Sequence, residues 1–216
     1  MTYLISTLIF AVVGTAQLNI FEIEGIFSNA HINALEGHIE EYEYTDDDLL
    51  ILQYSSQEGS AESIEELNSL LSEYDFPIGV WFGPYKISID FKQLNNFDYI
   101  GFSPGLEINN VSFDESVEKR YCTINICNFE ERKIIVSTNE GIYDNYLIVG
   151  TLGSFIENID FVISDQSIEF FKPSLFERFY IAISNPIFTY MFFVLCFAFI
   201  GLELFAIGPG LMAVVG

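Results

Sequence analysis

Two hydrophobic rhythms trade places along the first half of the chain. Leu18–Glu24 sets Ile20, Phe21 and Ile23 among acids and ends at Gly25, the pattern of a strand. Ser28 or Asn29 can cap a helix that carries Ile32, Leu35, Ile39 and Tyr42 at helical spacing. Leu49–Tyr54 is a second strand, and its unbroken run Leu49-Leu50-Ile51-Leu52 suits burial on both faces. Ser55–Ser60 predicts a polar turn containing Gly59. Ala61–Tyr74 predicts a helix with Ile64, Leu67, Leu70 and Leu71 on one side, and with Glu62, Glu65 and Glu66 near its positive end. Pro77–Phe82 is a third strand. Strands and helices alternating through short loops imply parallel pairing with right-handed crossovers, an α/β fold.

Past Pro84 the rhythm loosens. Phe97–Phe102, Tyr121–Cys127 and Lys133–Ser137 predict strands, and Tyr146–Asp160 mixes signals. Lys172–Ser184 is an amphipathic connector carrying Leu175, Phe176, Phe179, Tyr180 and Ile183. Pro186–Ala206 then runs apolar with one charge, Glu203. As a helix it spans about 30 Å, the thickness of a hydrocarbon core, and Pro186 suits its first turn. Gly208-Pro209-Gly210 predicts a turn, and Leu211–Gly216 restarts an apolar run. At the other end Tyr3–Val13 has the length of a signal-peptide core. Gly14-Thr15-Ala16 supplies the small residues read at a cleavage site, so residues 1–16 predict a signal peptide; an uncleaved anchor or a first buried strand is the alternative.

Charge narrows the function classes. Acidic residues outnumber basic ones 31 to 8, for a net charge of −23. Such a polyanion repels phosphate backbones, and no Lys/Arg cluster tracks one, so nucleic acid is excluded as a partner. Asp46, Asp47 and Asp48 are adjacent, but adjacent side chains diverge and no glycine-punctuated calcium loop surrounds them, so a solvated loop is predicted. His31 and His38 share a helical face about 10 Å apart, too far to share a metal. No metal or cofactor is expected. In an extended strand Cys122 and Cys127 would lie about 16 Å apart on opposite faces, so no disulfide is expected between them. Cys196 lies in the apolar segment.

The order of these parts, with Gly201-Leu202-Glu203-Leu204-Phe205 leading into Gly208-Pro209-Gly210, resembles the NfeD family of membrane proteins. The likeness is to the long form, whose N-terminal domain is similar to the ClpP/crotonase fold. Asn185-Pro186 fits the same membrane region, Ile20–Ile26 resembles the family's opening strand, and Leu50–Leu67 the strand–turn–helix after it. The resemblance implies a divergent, C-terminally truncated member. Its parts would be a degenerate ClpP/crotonase-like α/β domain over residues 17–171, the connector over 172–184, and an NfeD-like membrane region over 185–216. The first span would be 186–206, followed by the start of a second. It also implies stomatin- or prohibitin-like membrane partners, a homo-oligomer, and a soluble domain outside the cytoplasm. Lys172 and Arg178, just before the span, pull weakly toward the opposite orientation.

In that family a serine attacks a carbonyl, a desolvated lysine takes its proton, and backbone N–H groups hold the oxyanion. Carried over, the resemblance makes Ser88 the candidate nucleophile, by its spacing before Ser103-Pro104-Gly105. Lys133 or Lys119 is the candidate base, with Lys133 preferred, and Gly59 the surviving oxyanion glycine. The departures are chemical. Glu58 puts a carboxylate where a bare backbone is wanted, and Ile89 and Asp90 replace the small residues of a tight nucleophile turn. Glu203, a charge within an apolar helix, is a functional candidate or a partner of the turn beside it. The sequence therefore predicts a membrane-anchored ClpP-like domain that has lost catalysis and works by binding or assembly. The alternative is a Ser-Lys endopeptidase using Ser88.

Overall fold

The computed structural model describes residues 17–42, 44–59, 61–89, 91–94, 96–143, 146–161, 168–171, 173–184 and 186–205. Expectations for residues 1–16, 208–210 and 211–216 lie outside these. In chain order the elements are β1 (Leu18–Phe27), α1 (Asn29–Tyr42), β2 (Leu49–Gly59), α2 (Ala61–Leu71), β3 (Ile78–Phe82), β4 (Ile87–Ser88), a 3-10 turn (Phe91–Leu94), β5 (Tyr99–Phe102), β6 (Glu107–Asn109) and α3 (Glu115–Tyr121). There follow β7 (Ile126–Asn128), β8 (Lys133–Ile135), β9 (Gly141–Tyr143), β10 (Tyr146–Ile148), α4 (Leu152–Asn158), β11 (Ile168–Phe171), α5 (Leu175–Ser184) and α6 (Pro186–Phe205).

Seven strands form the main sheet in the order β11-β1-β2-β3-β5-β10-β9. All neighbours pair parallel except β9 with β10. The apolar run Leu49–Leu52 explains why. Leu50 and Leu52 face α1 and α2, Leu49 and Ile51 face the layer of α4, and all four are fully buried. Each such side chain contributes about 1.5–3 kcal/mol of transfer free energy. On the α4 side the packing needs a glycine at position 101. A Cβ at Gly101 would sit 2.5 Å from the Phe155 ring, and one at Gly79 3.6 Å from it. Only a bare backbone at Gly101 lets that ring lie against β5, while the distance at Gly79 is ordinary contact.

Four expectations for residues 17–171 are corrected. Ser55–Ser60 is no turn: β2 continues to Gly59, because β1 continues to Phe27 and pairs with it past a register shift at Gly25/Ile26. Asp48 is not a solvated acid: its carboxylate is buried and accepts from the backbone N–H of Gln17 and Thr45 and from the Thr45 hydroxyl. It ties the loop before β2 to the start of β1, which no spacing rule reveals. Tyr121–Cys127 is no strand: Tyr121 ends α3, the chain turns, and only Ile126–Asn128 is extended. The turn brings Cys122 and Cys127 together in a disulfide with a Cα separation of 5.6 Å. The distance argument against that bond assumed an extended backbone. The signal it missed is Asp114, whose carboxylate accepts from Ser116 and Val117 N–H and so starts a helix seven residues long.

Among the described residues no single helix is long and apolar enough to cross a membrane. Leu175–Ile183 and Ile187–Leu202 meet that test as a pair bent by 83°. The second of these carries Cys196 and is apolar on every side.

Candidate functional site

After β3 the chain turns at Gly83-Pro84 into β4. After β5 it turns at Ser103–Leu106 into β6, with Leu106 N–H on the Ser103 carbonyl at 3.2 Å. Gly105 takes φ +74° there, which glycine adopts without strain. Both turns leave the carboxyl ends of parallel strands, where open α/β sheets bind ligands. There they found a second sheet, in the order β4-β6-β8-β7.

Alternation sorts this small sheet. Ile87, Ile108 and Ile134 lie in register across β4, β6 and β8, and all three are buried in the main core. The residues beside them therefore face outward: Ser88 on β4 with Lys86 just before it, Glu107 and Asn109 on β6, and Lys133 on β8. Ser88 pairs with Asn109, and the β6–β8 register continued by one residue sets Lys133 opposite Asn109. Candidate nucleophile and candidate base thus share one face and one row, with β6 between them. Two strand spacings put their backbones about 10 Å apart.

Each is engaged elsewhere. The Ser88 hydroxyl accepts from Asn110 Nδ2 at 2.5 Å. Asn110 holds φ 59°, and its carbonyl accepts from Arg132 at 3.3 Å. The Lys133 ammonium lies 3.0 Å from Glu107 Oε2, and Lys86 reaches the same oxygen at 3.5 Å. The hydrogen bond from Lys133 holds the exposed Glu107 carboxyl below the usual carboxylate range. Ser88 and Lys133 share no hydrogen bond among the described residues. Lys119, the other lysine weighed as a base, sits on α3. Gly59 ends β2 as the ladder partner of Phe27. β2 runs past Tyr54, the last residue it pairs with β3, and β4 packs beside it. The glycine and the serine therefore lie on neighbouring elements.

No pattern in the chain singles out Glu107 and Asn110, which occupy the two candidates. Only the pair Asn109-Asn110, a turn signal, hinted at the second. Nor does any pattern reveal a polar pair at the far end of β1. His31 is buried; its Nε2 donates to the Glu24 carbonyl at 3.1 Å and its Nδ1 lies 3.4 Å from the Ser28 hydroxyl. Burial lowers its pKa against both hydrogen bonds. With both nitrogens committed and the ring closed to solvent, it braces the β1–α1 junction and has no free nitrogen to act as a base.

A hollow of about 630 Å³ opens between α3 and the β9 edge. Lys119, Arg120, Thr123, Ile142 and Tyr143 are among its lining; Ser88, Lys133 and Gly59 are not. Among the described residues no group of three or more His, Cys, Asp or Glu is placed to hold a metal ion.

The sequence matches no protein-family profile and no curated protein. Solved structures do match. A lysine-to-alanine mutant of the 1510-N membrane-bound stomatin-specific protease, in complex with a substrate peptide, superposes with a TM-score of 0.56 at 8% identity. The 1510-N membrane protease specific for a stomatin homolog from Pyrococcus horikoshii gives 0.56 at 9%. Each match covers 80% of this chain and the whole of the other. A serine-to-alanine mutant of 1510-N gives 0.50 at 8%, over 75% of this chain. The fold is the mixed α/β fold of ClpP- and NfeD-like proteases. At this identity the likeness is one of fold. What acts at the carboxyl ends of the strands is argued from this chain's own residues.

Proposed function

We propose that the chain is a membrane-anchored, non-catalytic ClpP-like module that acts by binding, as an assembly partner in membrane-protein quality control or membrane organisation. One observation carries the reading. The Ser88 hydroxyl is held by Asn110 and the Lys133 ammonium by Glu107, so neither candidate is directed at the other. A lysine acts as a base when it is desolvated and free of carboxylates; Lys133 is largely covered but lies against one.

The anchor in this reading is the NfeD-like region over residues 185–216, supported by the apolar character of α6. A soluble domain outside the cytoplasm agrees with the Cys122–Cys127 disulfide, since such bonds persist in oxidising compartments. The partner class is a stomatin- or prohibitin-like membrane protein, together with further copies of this chain. It is supported by the shared fold with proteases described as specific for a stomatin homolog.

A second reading keeps Ser88 as the nucleophile of a Ser-Lys endopeptidase, with Lys133 as base and Gly59 as oxyanion donor. The shared outward face of Ser88 and Lys133 favours it. Fluorophosphonate labelling of the full chain in membranes separates the two. The binding module stays unlabelled, as does its Ser88→Ala variant. Labelling lost in Ser88→Ala establishes the protease. Co-purification with a stomatin-like protein, undiminished in Ser88→Ala, is the positive result for the binding module.

A further inference from the structure

We infer that α5 is an in-plane membrane helix that lays one side of the domain against the lipid headgroup region. The inference deepens the anchored reading and rests on the proposed span over residues 186–206, of which α6 is the described part.

The helix forms for a local reason. Ser174 and Glu177 make a reciprocal capping box: the Ser174 N–H donates to Glu177 Oε2 at 2.5 Å and the Glu177 N–H to Ser174 Oγ at 3.3 Å. The next ten residues then divide by face. Leu175, Phe176, Phe179, Tyr180 and Ile183 recur at i, i+1, i+4, i+5 and i+8, one continuous stripe, and all five are exposed. Leu175 is 82% and Phe176 87% accessible. On the other face Glu177 and Ile181 are half-buried where α5 packs on α1. The charge of Glu177 reaches His38 of α1, whose ring lies 4.3 Å from that of Phe171.

Such a stripe in water costs free energy, and three observations say what covers it. It is continuous with α6, whose surface is apolar all round. The two helices meet at 83°, so a span normal to the bilayer leaves α5 close to the membrane plane. The Thr189 hydroxyl donates to the Ile183 carbonyl across the corner and helps hold that angle. The stripe is also aromatic, with a phenol at one margin, the composition that settles at the headgroup boundary. The occupant is therefore a lipid surface. With a net charge of −23 the chain gains nothing from anionic lipid, so the contact is apolar and not electrostatic. Because α5 packs on α1, the α1 side of the sheet is held toward the bilayer.

Tryptophan depth measurements on the full chain in phosphatidylcholine vesicles test this. Trp81 is buried in the soluble domain and gives a constant background. Phe176→Trp reports on α5, and Phe197→Trp on the middle of α6. Lipids brominated near the headgroup end of the acyl chain should quench about half of the Phe176→Trp signal. Lipids brominated near the acyl terminus should quench Phe197→Trp instead, and added phosphatidylserine should strengthen neither. Deep quenching at position 197 with none at 176 overturns the inference while leaving the span intact. Deep quenching at both positions overturns it by making α5 part of the span. Absence of quenching at both overturns the anchored reading itself.

Discussion

The two sheets are built to different standards. In the main sheet the central parallel strands β2, β3 and β5 are covered on both sides, and their apolar side chains are fixed by packing. In the small sheet Ile87, Ile108 and Ile134 secure one face, and the other carries Lys86, Ser88, Glu107, Asn109 and Lys133. The main sheet can specify a fold through thousands of weak contacts. The small sheet specifies only which polar groups share a face. What those groups do is decided by which of them reach each other, and here carboxylate and amide reach the lysine and the serine first.

The largest effect should come from the well-covered sheet. Phe155→Ala removes the ring that fills the space above Gly79 and Gly101, and should cost about 3–5 kcal/mol in chemical denaturation. Gly101→Ala drives a Cβ into the same ring and should cost about 1–3 kcal/mol. The pair should be less than additive, because Phe155→Ala vacates the space that the new methyl needs. Full additivity would show that Phe155 does not pack on β5 as described.

The disulfide comes next. Closing so short a loop between Cys122 and Cys127 restricts the unfolded chain by about 2 kcal/mol. Reduction, or Cys122→Ser with Cys127→Ser, should lower stability by that amount and loosen the turn after α3. The main sheet should exchange its amide protons as before. An equal loss of protection in β1, β2 and β3 would mean that the two sheets unfold as one unit and are not the separately held regions described here.

The same contrast governs what the sequence disclosed. Leu49–Leu52 announces a strand buried on both faces because nothing but a covered strand tolerates four apolar residues in a row. The α1 and α2 stripes are equally plain. The short strands carry no such redundancy: Lys86-Ile87-Ser88-Ile89 alternates for only four residues, and Ile89, read as a bulky residue in a nucleophile turn, is buried just past the end of β4. The disulfide was hidden because one aspartate, Asp114, converts a predicted strand into a helix and a turn. Glu107 was invisible for another reason. A lone acid among 31 gains meaning only when two strands bring Lys86 and Lys133 to it.

A smaller effect should appear with pH. His31 has a folded pKa below its ordinary value near 6.5, chiefly through burial. The unfolded chain takes up the proton first as pH falls. The stability tied to neutral His31 is therefore complete above pH 6.5 and is lost as pH drops from there toward the folded pKa. His31→Gln should flatten that part of the stability profile, and the His31 ring signals should titrate below those of a free histidine. Titration at or above the ordinary value would mean that the β1–α1 junction is open to water.

The smallest expected change bears most on function. Glu107→Gln removes the carboxylate that holds Lys133, and with it the anion that lies beside Lys86. Glu107 is half-exposed while Lys133 is largely covered, so fold stability should move only modestly. If Glu107 alone kept a Ser-Lys dyad apart, this variant should gain fluorophosphonate labelling at Ser88. None is expected, because β6 still stands between β4 and β8 and Asn110 still holds the Ser88 hydroxyl. Two strand spacings of about 10 Å are more than a general base can bridge with one hydrogen bond. Labelling that appears in Glu107→Gln and vanishes with Ser88→Ala would turn the small sheet from a binding face into a restrained active site.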